Sequence, residues 1–335
     1  MSMRNKSMLV IVVIVLVTTF FNFSTSMFLT RQGLEETIEK DLALSRDLAD
    51  TLVTKQIDLL VSDAHIISER IEKAQTPEEM KAVMVEEFPH YEDFIAASVF
   101  DREHLVATYG KAYVPEEWLS KSTYIKAAFE GEANISSTRR SSLSGLLVMH
   151  ICVPMGDSYV LSVSVDGHTF SKLLKPFRLW ETGNIFLLDE EGTVIANVRD
   201  EWVEQRVNFV LPDNPGITSR PNYPDIDKLS AFTKRMIETG EGFGTYSLDG
   251  VDRMCVYETV SSPAVNWRIG VVAPLTESPV TGMQNGLILS SALFVLVGAF
   301  FAIIVSGLVS RPYYRIKEQA ENLEELNRVA REASE

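Results

Sequence analysis

Two long stretches without a charged residue constrain this chain more than any other feature of its sequence. They cover residues 7–30 and 278–310 of the 335-residue chain. A helix needs about 20 predominantly apolar residues to cross the hydrocarbon core of a bilayer. The sequence therefore predicts two transmembrane helices, at residues 8–29 and 287–309, and the membrane is an expected partner.

Basic residues lie just before the first predicted span and just after the second. They are Arg4 and Lys6 before the first span, and Arg311, Arg315 and Lys317 after the second. Lysine and arginine near the end of a span mark its cytoplasmic side. We therefore expect a cytoplasmic stub at residues 1–7, a cytoplasmic segment at 311–335, and residues 31–285 outside the cytoplasm.

The first stretch has an alternative interpretation as a cleaved signal peptide. The small residues at 24–26 are typical of a cleavage region. The apolar run nevertheless continues through Leu29, which makes it longer than the apolar region of about 7–15 residues in signal peptides. This length favours an uncleaved anchor.

The charge of the chain lies mainly between the two predicted spans. The formal net charge is −15, and residues 31–285 carry 24 basic and 40 acidic residues. A nucleic-acid-binding protein needs a basic face to displace counterions from phosphates. The sequence therefore predicts no nucleic-acid partner.

A long amphipathic helix is predicted at residues 33–74. Its apolar residues recur at steps of three, four or their sums: Leu34, Ile38, Leu42, Leu48, Leu52, Leu59, Ile67, Ile71 and Ala74. This spacing places them on one face of a helix of about 63 Å. We expect that face to pack on a sheet or on a second copy of the helix.

The rest of the segment repeats one pattern of strands and helices. Strand–turn–strand runs at residues 94–109 and 183–198 are each followed by a helix that a glycine ends, Gly131 in the first copy and Gly240 in the second, and then by further strands. The repeat predicts two α+β modules, at residues 31–175, including the long helix, and at 176–285.

These features carry a resemblance to a known family. The run WETGNIFLLDEEGTVIANV at residues 180–198, the helix that stops at Gly240 and the run at residues 267–270 resemble the double Cache region, a PAS-like sensor of bacterial membrane receptors. The resemblance implies an α+β fold of two Cache modules with antiparallel sheets on one long N-terminal helix. It also implies a bacterial inner-membrane location, two passes, and a small-molecule ligand in the membrane-distal module.

The resemblance also points to two ligand-binding residues. One subset of the family recognises amino acids with an R-x-W-Y step and a later aspartate. Here the step reads Lys121-Ser122-Thr123-Tyr124, and Asp166 corresponds to the aspartate. Because Tyr124 matches while Lys121 and Thr123 replace the arginine and the tryptophan, an amino acid is not the expected ligand.

The side-chain chemistry of this region indicates an anionic ligand. Lys121 and Arg139 are candidates to bind an anionic group, and Trp118 and Tyr124 are candidates for flat apolar walls. The alternatives are that Arg139 is a solvated loop residue, that Trp118 packs in the core, and that Asp166 only forms a turn.

No catalytic chemistry is predicted in this chain. The five histidines lack metal-ligand spacing, and no nucleophile or phosphate-binding motif is present, so we expect neither a metal nor another cofactor. Cys152 and Cys255 lie in strand-like runs of different modules. We expect buried free thiols, with a disulfide as the alternative.

The C-terminal segment predicts a dimeric signalling helix. Apolar residues recur with heptad spacing at Ile316, Ala320, Leu323, Leu326, Ala330 and Ala333. The alternative is a solvated single helix. Residues 321–335 resemble the linker before the phosphoacceptor helix of sensor histidine kinases. We therefore expect a homodimeric kinase input region with an output domain beyond it. The alternatives are the input region of a chemoreceptor or of a diguanylate cyclase, or a membrane-anchored binding or scaffold protein.

Overall fold

The computed structural model describes residues 3–111, 113–210 and 226–332. The chain forms two structural units, and both sheets belong to the unit Ile38–Ser278. The proline-rich stretch at residues 211–227, whose composition predicts a surface loop, lies almost wholly outside the described residues.

Helix α1 spans Met3–Ile71 and includes the predicted long helix, which ends three residues earlier than expected. Its buried apolar residues in the two-sheet unit are Ile38, Leu42, Ala49, Val53, Ile57, Leu60, Ala64, Ile67 and Ile71. The predicted stripe is therefore wrong at Leu48 and Leu59, which are 61% and 52% exposed. Ala49 and Leu60, one position further along the chain, are buried instead.

The first module forms a sheet whose strands run in the order β2-β1-β6-β5-β3, and β4 also pairs with β5. All of these pairs are antiparallel. The strands are β1 Phe94–Phe100, β2 Leu105–Gly110, β3 Asn134–Ile135, β4 Arg139–Arg140, β5 Leu147–Met155 and β6 Tyr159–Asp166. The helices are α2 Pro77–Glu87, α3 Thr123–Phe129 and α4 Thr169–Leu174, and a short 3₁₀ turn spans Glu116–Trp118.

The second module repeats this strand order. Its sheet runs β8-β7-β11-β10-β9, again with antiparallel pairs. The strands are β7 Asn184–Leu188, β8 Val194–Ala196, β9 Gly242–Leu248, β10 Val251–Thr259 and β11 Arg268–Pro274. The helices are α5 Asp200–Glu204 and α6 Ile226–Thr239. In each module the hairpin therefore pairs with the last strand, as expected for two copies of one pattern.

Two glycines end the helices as the sequence predicts. Gly131 and Gly240 have φ values of 97° and 78°, in the left-handed region that L side chains rarely adopt. Each lies just beyond a helix, α3 or α6, where a left-handed residue closes the last turn. The two helices that cover the sheets consequently stop at equivalent places.

The two cysteines are buried and free, as predicted. Cys152 lies in β5 of the first sheet and Cys255 in β10 of the second. Burial raises the pKa of the Cys152 thiol to about 12, and burial likewise raises the pKa of Cys255. Both side chains therefore stay protonated and unreactive near neutral pH.

Helix α7 spans Pro279–Glu332 and contains the second predicted span. Among the described residues, one helical segment is long and apolar enough to cross a membrane, Gly286–Val305, with a mean hydropathy of 2.7. The first predicted span, at residues 8–29, lies within α1 and remains a prediction.

Candidate functional site

Three of the five predicted site residues come together above the first sheet. Trp118 ends the 3₁₀ turn, Tyr124 lies in α3, and Arg139 lies in β4. The Cζ atom of Arg139 is 3.3 Å from the centroid of the Trp118 ring. Trp118 and Tyr124 pack against a buried cluster that includes Cys152 of β5. The cationic side chain and its aromatic neighbour therefore cover one face of this sheet.

That face of the sheet carries small polar side chains where apolar ones are usual. Register places Cys152 opposite Ser162 and His150 opposite Ser164, and Ser98 pairs with Ser162 from the other side. All five residues are buried. Buried polar groups are costly unless they are hydrogen-bonded. A row of polar groups therefore lies beneath the aromatic and cationic cover.

Hydrogen bonds fix these polar groups in place. The Ser164 hydroxyl lies 3.1 Å from Nδ1 of His150, and the backbone N–H of His150 donates to the Ser136 hydroxyl at 2.9 Å. The Ser98 hydroxyl accepts from the backbone N–H of Val114 at 2.9 Å. Burial lowers the pKa of His150 to about 3, and the positive charge of Arg139 acts in the same direction. The imidazole is therefore neutral at physiological pH.

Arg139 is a half-buried cation without a carboxylate partner among the described residues. Burial lowers the pKa of its guanidinium, and the nearby positive charge of Arg206 acts in the same direction. An arginine nevertheless remains protonated in proteins. With His150 and Cys152 neutral, Arg139 gives this cluster a positive charge that an anion would balance.

Two unsatisfied polar atoms lie on the segment that leads to Arg139. Oγ1 of Thr138 and Oδ1 of Asn134 are buried and lack a hydrogen-bond partner among the described residues. The Asn134 side chain also contacts the cover, because its Nδ2 donates to the backbone oxygen of Tyr124 at 2.9 Å. An unmade buried hydrogen bond costs about 1–3 kcal/mol, which a ligand would recover.

The other two predicted residues are engaged differently. Lys121 is exposed, just beyond the 3₁₀ turn. The carboxylate of Asp166 lies at the end of β6, 2.6 Å from Nζ of Lys172, and also accepts from the backbone N–H of His168 at 3.0 Å. Burial acts to raise the pKa of Asp166, but these two bonds lower it overall. Asp166 thus organises the turn that leads into α4.

The polar row beneath Arg139 was not among the predicted site residues. Its signal was present as alternation, since Ser162 and Ser164 alternate with the apolar Leu161, Val163 and Val165 of β6. His150 shows the same pattern within β5. Residues that alternate in this way share one sheet face.

Tyr124 also joins this cluster to the second module. Its hydroxyl donates to Oε1 of Glu190 at 2.8 Å and accepts from the backbone N–H of Ser137 at 3.3 Å. The Ser137 hydroxyl donates to the buried carboxylate of Asp189. Asp189 and Glu190 follow β7, so the hydrogen bonds of Tyr124 and Ser137 link the first module to the end of that strand.

No protein-family model matches the sequence, and no curated protein matches it. Solved structures do match. The ligand-binding domain of the amino acid chemoreceptor PctB of Pseudomonas aeruginosa, in complex with L-Arg, superposes with a TM-score of 0.56 at 16% identity, over 73% of this chain and 98% of that one. The ligand-binding domain of the Pseudomonas fluorescens chemoreceptor CtaA, in complex with L-leucine, gives 0.56 at 15% identity, over 74% and 99%.

A third neighbour belongs to a different class of receptor. The extracellular domain of the proposed histidine kinase mmHK1S-Z3 gives a TM-score of 0.55 at 12% identity, over 74% of this chain and 97% of that one. The matches extend over nearly the full length of each neighbour and over about three quarters of this chain. Residues 38–278 have the double Cache fold. Within it, the Arg139 cluster lies in the first Cache module, where the sequence resemblance places the ligand.

The double Cache domain shows no metal centre in its described part. No group of three or more His, Cys, Asp or Glu side chains is positioned to hold a metal ion among the residues that the structure describes. The side chains around Arg139 offer charge, stacking and hydrogen bonds for recognition.

Proposed function

We propose that this chain is the extracytoplasmic input region of a bacterial membrane receptor and that its first Cache module binds a small organic carboxylate. This proposal rests mainly on the environment of Arg139. Its guanidinium is half-buried and stacked on Trp118, and it has no carboxylate partner among the described residues. Arginine pairs with a carboxylate through two parallel hydrogen bonds.

The surroundings of Arg139 favour a carboxylate without an amino group. PctB and CtaA were solved with amino acids bound, and a bound amino acid needs an acceptor for its ammonium group. In this chain the expected acceptor, Asp166, is paired with Lys172. The hydroxyls of Ser162 and Ser164 and the neutral His150 suit hydroxyl or carbonyl groups on the ligand body.

We further propose that the chain crosses the inner membrane twice, at residues 8–29 and 287–309, with both termini in the cytoplasm. The apolar segment Gly286–Val305 supports the second span, and the basic flanks support the orientation. The output is proposed to be a histidine kinase because residues 321–335 resemble a kinase linker. A chemoreceptor output is the second candidate, since PctB and CtaA are chemoreceptors.

The proposed signal passes from the first module to the second through the contacts of Tyr124. A bound carboxylate alters the environment of Tyr124, which bonds to Glu190, and of Ser137, which bonds to Asp189. A ligand shifts a conformational equilibrium by the difference in its affinity for the two states. The second module continues directly into α7, which would carry the change across the membrane.

A homodimer is proposed to form through an exposed apolar face of α1. Its residues are Leu44, Leu48, Leu59 and Ile66, at 63%, 61%, 52% and 41% exposure. At 100° per residue they fall within one narrow stripe, separate from the stripe that packs on the sheets. A second copy of α1 carries the same stripe, so the two faces match.

Leu59→Cys is expected to give disulfide-linked dimers when membranes containing the full chain are mildly oxidised. The native thiols are buried and do not compete. Val85→Cys is the matched control, because Val85 is also exposed but lies in α2. Gel electrophoresis without reductant measures the product. Equal cross-linking at the two positions would contradict the proposed interface.

A thermal-shift screen of the full chain in nanodiscs tests the ligand class. Hydroxy and keto carboxylates are expected to raise the unfolding temperature, because a ligand that binds only the folded state stabilises it by mass action. Amines and purines are expected to leave it unchanged. Stabilisation by amines alone would contradict the proposal.

A further inference from the structure

The second Cache module contains a cavity of its own, of about 180 Å³. It lies between the sheet face formed by Tyr246, Leu248, Arg253 and Val272 and the helix α6. The helix α3 packs on the face of the first sheet that carries Cys152, and α6 packs on this face of the second sheet, so the two faces correspond. The position is therefore equivalent to the Arg139 site, although the side chains differ.

The walls of this cavity are mainly aromatic and aliphatic. They include Phe186, Trp202, Phe209, Leu229, Phe232 and Tyr246. Trp202 and Phe209 pack edge to face at 5.1 Å between ring centroids, which gives a firm apolar surface. An engineered apolar cavity of about 150 Å³ accommodates benzene. The volume thus suits one aromatic ring or a short branched chain.

The polar part of the cavity is positively charged. Its described lining residues include Arg199 and Arg253 and no carboxylate. Arg199 is already engaged, because its guanidinium lies 2.8 Å from Asp249 and 4.7 Å from the centroid of the Trp202 ring. Nε of Arg253 is buried and has no hydrogen-bond acceptor among the described residues.

Burial acts to raise the pKa of Glu277, but its hydrogen bonds and the charge of Arg253 lower it overall. Glu277 accepts hydrogen bonds from the backbone N–H groups of Glu181 and Thr182 and from the Thr182 hydroxyl. Among the described residues no carboxylate forms an ion pair with Arg253, and its Nε has no acceptor, so its guanidinium can bind an anion that enters the cavity. Asn184 also lines the cavity and offers a neutral donor.

We propose that the second Cache module holds a second ligand site, which binds a small carboxylate with an aromatic or branched aliphatic body. Arg253 binds the carboxylate, and the aromatic walls enclose the body. This site goes beyond the proposed function of the first module, where the sheet face is polar. The two modules thus select anions of different polarity.

Isothermal titration of the full chain in nanodiscs with phenylacetate, benzoate and 3-methylbutanoate tests this site. At least one of the three is expected to bind the wild type, and its neutral amide to bind at least about tenfold more weakly, since hydrogen bonds to charged groups contribute about 1.5–3 kcal/mol. Failure of all three to bind at millimolar concentration would overturn the proposal.

Variants assign the binding to one module. Arg253→Gln is expected to weaken binding of the carboxylate about tenfold or more, and Arg253→Lys to restore part of it. Arg178→Gln is the matched control, because Arg178 is exposed and outside the cavity. Arg139→Gln is expected to leave this binding unchanged. If Arg139→Gln abolished binding of the carboxylate while Arg253→Gln retained it, the second site would be refuted and the first site supported.

Discussion

Arg139→Gln is expected to weaken binding of a carboxylate to the first Cache module by about 10- to 100-fold, as the loss of a charged hydrogen-bond pair of about 1.5–3 kcal/mol implies. Glutamine keeps a neutral donor near Trp118 but removes the charge. Titration calorimetry with a carboxylate from the thermal-shift screen measures the change.

The stability of the ligand-free protein separates a binding role from a structural one. Arg139 is half-buried and has no carboxylate partner among the described residues, so its charge carries a desolvation cost that its contact with Trp118 offsets. The unfolding free energy of Arg139→Gln is therefore expected to stay close to that of the wild type. Arg102→Gln is the control, because Arg102 is exposed and also lies over an aromatic ring, that of Phe129. Unchanged carboxylate affinity in Arg139→Gln would show that Arg139 does not bind the ligand.

Acid is expected to destabilise the double Cache domain through His150. Its pKa is lowered to about 3 by burial and by the charge of Arg139, from an ordinary value of 6.5. Below pH 6.5 the unfolded chain binds a proton at His150 that the folded protein does not bind. The free energy of unfolding therefore falls as the pH is lowered from 6.5 toward 3. At about 1.4 kcal/mol per pH unit, the unfolding free energy falls by about 3 kcal/mol between pH 6.5 and about pH 4.

His150→Asn isolates this contribution, because asparagine keeps an acceptor near the Ser164 hydroxyl and does not titrate. Denaturant unfolding, followed by tryptophan fluorescence, is expected to show a flatter pH profile for His150→Asn than for the wild type. His104→Asn changes an exposed histidine and is expected to keep the wild-type profile. Parallel profiles for wild type and His150→Asn would show that His150 is not the group responsible.

The repeated fold was predictable because its signals are local. Alternating apolar residues mark the strands, and Gly131 and Gly240 end the helices on which each module depends. The short strands β3 and β4 were missed, since two-residue edge strands have no period to detect. The buried face of α1 was assigned wrongly at Leu48 and Leu59 because both faces of this helix are apolar, and only packing against the sheets decides between them.

The side chains that cover the candidate site were predictable from their residue types, but the polar row of the sheet beneath them was not. Trp118, Tyr124 and Arg139 were identified by residue type, and the fold brings them together from three separate elements. Asp166 was expected at the ligand, but the nearby Lys172 and the backbone of His168 engage its carboxylate. The cavity of the second module was missed because Arg253 lies within an ordinary strand pattern, and nothing local indicates that its Nε lacks an acceptor.

A carboxylate bound at Arg139 is proposed to change the packing of the membrane-spanning part of α7 between two copies of the chain. Single cysteines placed along residues 287–309 of the full chain in membranes test this directly, by disulfide cross-linking with and without saturating carboxylate. Since the buried native thiols are protonated, only the introduced cysteines report. The pattern of cross-linked positions is expected to shift when the carboxylate binds and to stay fixed in Arg139→Gln. An unchanged pattern in the wild type, with binding confirmed by calorimetry, would contradict the account.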